Sequence, residues 1–148
     1  MKGRITQDLS QHIHPRLMAD CHLLGRMPLS WVLLMDDMRY PWFILVPDRE
    51  SVSEWHELPE ADSQQLLQEC LQLASSLKAP LGADKVNQAA LGNMVPQLHV
   101  HLVFRCQDDA AWPQPVWGQG APIAWPAHAL SAFREDIGPH LPPDFRWV

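Results

Sequence analysis

The run Gln97-Leu98-His99-Val100-His101-Leu102-Val103 sets an amide and two imidazoles at alternate positions. Side chains two apart on a strand share a face. Gln97, His99 and His101 are therefore expected to point one way, with Leu98, Val100 and Leu102 turned into the core. An imidazole with an ordinary pKa of about 6.5 can serve near neutral pH as nucleophile, base or metal ligand. The plain alternative is a solvent-facing strand that carries two histidines. A metal site on His99 and His101 with Cys106 or a carboxylate is another option, but no third ligand stands at the usual zinc spacing. His12 and His14 also form His-x-His, in a segment expected to be helical or irregular, where they would not share a face and solvent exposure is expected. Asp108-Asp109 could orient water, but a solvated turn is the preferred reading, and no P-loop, Gly-x-Ser-x-Gly or zinc pattern is present.

Several elements must position that run. Leu9, Ile13, Leu17 and Met18 recur at helical spacing between Thr6 and Leu24, interrupted by Pro15, which suggests a short helix or turn. Ser30–Asp36 and Pro41–Pro47 are apolar, β-rich runs joined by a short connection, the signature of two adjacent antiparallel strands. Pro59–Ala79 predicts a long helix: Pro and acids occupy its first turn, Leu66, Leu67, Cys70, Leu71, Leu73, Ala74 and Leu77 form one stripe, and Pro80 stops it. Lys85–Ala90 predicts a third strand, Leu91–Met94 a turn, and Val95–Arg105 a fourth strand. Half of the 14 prolines lie beyond Trp112, together with Trp117, Trp125 and Trp147. Only a short helix over Ala127–Ile137 is expected there, and so much Trp suggests packing onto the sheet or a partner subunit. For Trp112–Gly118, packing is preferred over covering a nucleotide site or filling a dimer seam.

The chain has 148 residues, 47% of them hydrophobic, and a net charge of −6. This length suits one domain, read as residues 1–148 with a core at 30–105 and a Trp/Pro-rich extension at 106–148. The acidic balance gives no general affinity for nucleic acid, and no apolar run is long enough to span a membrane. The three cysteines are widely spaced and form no CxxC, and residues 1–17 lack the apolar core of a secretory signal. A cytoplasmic, reducing setting is the expectation.

The segment Gly92–His101, with its alternating Gln97-x-His99-x-His101, resembles the signature of the histidine-triad (HIT) family of nucleotide hydrolases and transferases. The element order over Ser30–Arg105 resembles that family too. The resemblance implies an α+β fold, an antiparallel sheet of about five strands with a long helix packed on it. It also implies a homodimer whose sheets join, and a nucleotide or dinucleotide substrate with no cofactor or metal. In the family the middle histidine attacks the α-phosphorus to give a nucleotidyl-histidine, which water releases. By position that residue is His99. One ring nitrogen must be free and the other N–H held by an acceptor, and the family uses the carbonyl of the first motif residue, here Gln97. His101 corresponds to a phosphate or leaving-group contact.

The chain departs from that pattern at three positions. Gln97 replaces the first histidine, Trp42 stands where relatives carry a second-strand histidine that touches it, and Met94 replaces a Ser or Thr that contacts phosphate. The first two read as one exchanged contact. Asp36 corresponds to a residue binding ribose hydroxyls, although an Asp at a strand end is also a common turn former. Asn87 resembles a nucleotide contact, and Asn93 suits either a phosphate contact or a turn. Two functions follow: hydrolysis or transfer at an α-phosphate, or a nucleotide-binding module of the same fold that has lost fast turnover.

Overall fold

The structure, a computed structural model, describes Leu9 and residues 11–148. The described residues form helices α1 (Pro15–Asp20), α2 (Glu60–Leu77) and α3 (Ala127–Ile137). The strands are β1 (Cys21–Arg26), β2 (Ser30–Met35), β3 (Trp42–Pro47), β4 (Lys85–Ala89), β5 (Val100–Arg105) and β6 (Arg146–Trp147). They make one antiparallel sheet in the order β4-β5-β3-β2-β1-β6. The α+β class and the long helix are as the sequence implies. Among the described residues the sheet has six strands, however, with β1 and β6 added to those the sequence predicts.

The reasons are local. Pro15 opens α1 rather than interrupting a longer helix, because a proline at the first helical position needs no N–H bond and has its φ already set. The part of the expected helical stretch at 6–8 and 10 lies outside the described residues. After Asp20 the chain turns into β1, whose pairing with β2 shifts between Leu23 and Gly25. A Cβ on Gly25 would overlap the Arg146 carbonyl oxygen and the Phe145 ring, so the glycine is what lets the C-terminal strand β6 lie alongside.

Both faces of the sheet are covered. On one side Val32, Leu34, Phe43, Leu45, Leu102 and Phe104 pack with Leu66, Cys70, Leu73 and Leu77 of α2, and with Ile137 and Phe145 from the C-terminal stretch. On the other, Trp31, Leu33, Trp42, Ile44, Val46 and Val103 meet Ile13, Leu17 and Val116. This double burial explains why β3 reads as an unbroken apolar run. The Trp-rich extension thus packs onto the sheet: Trp125, Leu130 and Phe133 lie against the α2-side core, Trp117 against the opposite one. One buried carboxylate ties the layers together. Glu69 of α2 accepts the amides of Leu29 and Ser30, each at 2.9 Å, and the side-chain amide of Gln65 at 2.8 Å.

Candidate active site

The expected strand over Val95–Arg105 is a strand only from Val100. Leu45 of β3 pairs with Val100, and Ala89, the last residue of β4, pairs with His101. Residues before Val100 therefore run past the paired stretches of both neighbours. The Leu98 amide is taken instead by the Val52 carbonyl at 2.9 Å. The carbonyl of Gln97 is released from any ladder and sits 2.7 Å from His99 Nδ1. A carbonyl can only accept, so Nδ1 carries the proton and the lone pair of the neutral ring lies on Nε2.

His101 follows on the same side, its ring centroid 4.9 Å from that of His99. Both rings are nearly buried, at 6% exposure for His99 and 5% for His101. The indole of Trp42, one strand away, donates to His101 Nδ1 at 3.0 Å. Trp117, from the extension, stands edge-on to both, with ring centroids 5.2 Å from His101 and 5.6 Å from Trp42. Burial, and then the charge of His99, push the His101 pKa down to about 3. The ring is therefore neutral throughout the physiological range. In the sequence only the position of Trp42 was visible; its bond to His101 and the role of Trp117 had no signal.

The side chain of Gln97 does not reach Trp42 for a hydrogen bond. Its Oε1 accepts from the His14 amide and its Nε2 donates to the His12 carbonyl, both at 2.8 Å. The two departures from the triad are thus two separate contacts, not the single exchange expected. Gln97 pins the segment carrying His12 and His14, and His12 Nδ1 lies 2.7 Å from Asp48 Oδ1. Both histidines are half-buried rather than solvent-exposed. A small cleft of about 60 Å³ at His99 is lined by Ser53, Gly92, Gln97 and Leu98 among others. A groove of about 820 Å³ shares Ser53 and Gln97 with it and continues past His12, His14 and Arg49.

The remaining sequence candidates are dispersed. Asp36 follows β2 at the end of the sheet away from His99, since Ser30 at the other end of β2 pairs with Pro47. His99 is level with Val46 and so with Trp31, about 17 Å from Asp36 along the strand direction. The Asp36 Oδ1 accepts from His22 at 2.8 Å and from the Trp125 amide at 2.9 Å. Burial raises the pKa of this carboxyl, but those two bonds outweigh it and hold the group below the usual range. Asn87 shares the face of the histidines, yet its Oδ1 accepts from Arg105 at 3.0 Å. Asn93 lies exposed in the turn before the motif, and Met94 is 72% exposed.

Arg105 lies on the same face, and alternation from His101 is the one sequence signal for it. It is buried, with Nε and Nη2 on the two carboxylate oxygens of Asp109 at 2.7 and 2.9 Å. Asp108 is exposed in the turn, as expected, whereas the Asp109 side chain is a largely buried ion-pair partner. Among the described residues no group of three or more His, Cys, Asp or Glu is placed to hold a metal ion.

The HIT domain family matches this chain over residues 16–108. Solved structures agree over a longer stretch. A histidine triad protein from Bradyrhizobium japonicum is 43% identical with a TM-score of 0.84, covering 87% of this chain and 96% of that one. A histidine triad protein from Marinobacter aquaeolei VT8 is 45% identical with a TM-score of 0.85, covering 87% and 94%. A third, from Sinorhizobium meliloti 1021, is 41% identical with a TM-score of 0.84, covering 87% and 96%. No curated protein matches. The chain belongs to the HIT domain family, whose members are in general nucleotide-binding hydrolases and transferases. The 87% coverage exceeds the span of the family match, so part of the C-terminal extension belongs to the shared fold rather than lying outside it.

Proposed function

We propose that this protein is a nucleotide hydrolase or nucleotidyl transferase that acts at an α-phosphate through a nucleotidyl-histidine on His99. The observation that carries the reading is the 2.7 Å bond between His99 Nδ1 and the Gln97 carbonyl. It leaves Nε2 as the nucleophile beside a second, neutral imidazole. His101 donates toward the phosphate oxygens, where a placed donor in a water-poor site stabilises developing charge. Gln97 orients the nucleophile through its backbone and anchors the His12–His14 segment through its side chain. Ligand sites usually span about 300–1,000 Å³, so the cleft at His99 suits the reacting phosphate and the connected groove suits the rest of the substrate. Asn93, in the exposed turn, is assigned a phosphate contact. Asp36 and Asn87 are engaged elsewhere and are given no nucleotide role. The substrate is a dinucleoside polyphosphate, a nucleoside phosphoramidate or another adenylylated molecule.

The full chain is read as one domain. A homodimer joined at the β4 edge of the sheet, which is open among the described residues, accompanies this reading. The free cysteines support a cytoplasmic setting, and no described helix is long and apolar enough to cross a membrane. A non-catalytic nucleotide-binding module is the second reading, favoured by the exposed Met94 where a hydroxyl donor would serve phosphate.

Intact-protein mass spectrometry after brief mixing with an adenylylated substrate tests the proposal. Wild type should gain an adenylyl mass and release AMP on longer incubation, and His99→Ala should do neither while still binding nucleotide. Nucleotide binding without adduct or AMP in wild type, across several substrates, would establish the binding module instead.

A further inference from the structure

We propose that Trp42 is a positioning residue that locks His101 in its neutral Nε2–H form, so that the site favours α-phosphate substrates whose leaving group departs as an oxyanion over those that release an amine. This rests on the nucleotidyl-histidine reading above. An indole N–H can only donate, and it lies 3.0 Å from His101 Nδ1. Nδ1 must therefore present its lone pair, and the ring's one proton sits on Nε2. Adding a second proton would set an Nδ1–H against the indole N–H. The surroundings oppose it as well. Trp42 and Ile44 from β3, Ala89 across in β4 and Trp117 from the extension are uncharged, and His99 is the titratable neighbour.

The reaction then divides as follows. The Nε2 lone pair of His99 forms a bond to the α-phosphorus as the bond from phosphorus to the leaving oxygen breaks, and that bond's electron pair departs on the oxygen. The His99 ring carries the positive charge, its Nδ1–H held by the Gln97 carbonyl. Water next attacks the phosphorus, the N–P electron pair returns to Nε2, and the proton of water passes to solvent. The first step needs no proton when a phosphate, polyphosphate or carboxylate leaves, because these are stable anions. An amine needs one. His101 cannot supply it, since giving up Nε2–H would leave an imidazolate; it can only donate a hydrogen bond.

Two measurements on the full-length protein separate the parts of this proposal. Long-range ¹H–¹⁵N correlation of histidine-labelled protein should show His101 as the Nε2–H tautomer in wild type from about pH 5 to 8. In Trp42→Phe the same ring should populate both tautomers and begin to titrate within that range. An Nδ1–H tautomer or an imidazolium in wild type would overturn the proposal without any variant. The second measurement is cleavage of AMP aryl esters of graded phenol pKa alongside adenosine 5′-phosphoramidate. Rates should fall about tenfold or more from the most to the least acidic phenol, with the phosphoramidate at least about tenfold below the best ester. A flat series, or a preference for the phosphoramidate, would overturn the leaving-group half. The expected tautomer with no turnover of any substrate would instead sink the hydrolase reading, leaving Trp42 as a positioning residue in a binding site.

Discussion

The first motif position shows how one side chain can change its role while its backbone keeps another. Gln97 retains the carbonyl that holds His99, but its amide now clamps the His12–His14 segment. Arg105 and Asp109 make the costliest single contact to disturb, because removing one partner leaves the other charge buried. Asp109→Ala should cost about 3–5 kcal/mol in urea unfolding at neutral pH. Burial raises the Asp109 pKa, yet its bonds from Arg105 and from the amides of Ala111, Cys106 and Trp112 win and hold it below the usual carboxylate range. A carboxyl depressed in the folded state contributes fully above its unfolded pKa of about 3.9 and loses that contribution as pH falls through the folded value. The gap between wild type and variant should therefore narrow below about pH 4. An equal gap at pH 7 and at low pH would refute the electrostatic account.

Among elements, α2 depends on one buried carboxylate for its placement. The apolar stripe of the helix fixes which face turns inward, but not its height along the sheet. Glu69 sets that by accepting the amides of Leu29, just before β2, and of Ser30, its first residue. Glu69→Ala strands both N–H groups in the core and should cost about 2–4 kcal/mol, read as a drop in urea midpoint. A loss below about 0.5 kcal/mol would mean that water replaces the carboxylate. The hairpin of β2 and β3, α2, β4 and α3 were all legible in the sequence, since each has its own periodicity and stop signals. β1 and β6 were not. Cys21–Arg26 carries a bulge that breaks its alternation, and Arg146–Trp147 is too short for any pattern. Their pairing depends on Gly25 allowing contact between segments more than a hundred residues apart.

For the molecule as a whole, β4 and the two-residue β6 are the two edges of the sheet, and among the described residues each has a single neighbour, β5 and β1. A second copy pairing along β4 would cover that open row of backbone groups. Light scattering on the purified protein should then give twice the 16.9 kDa chain mass. A single-chain mass at micromolar concentration would remove the dimer from the proposed function. Burial also divides the cysteines: Cys21 and Cys70 are held by burial at pKa values of about 12, and Cys106 is only partly covered.

The sequence by itself determined that Gln97, His99 and His101 share a face, because alternation is a local property, and the resemblance its motif carries implied the class of fold and the carbonyl that holds His99. It also placed Trp42 against the motif strand. Tertiary structure alone decided that Trp42 donates to His101, that Trp117 covers both, that Asp36 is remote from His99 and that Arg105 and Asp109 are buried together. Those outcomes depend on strand register and on the path of the C-terminal extension. Both are set by packing between distant segments, which no local spacing encodes.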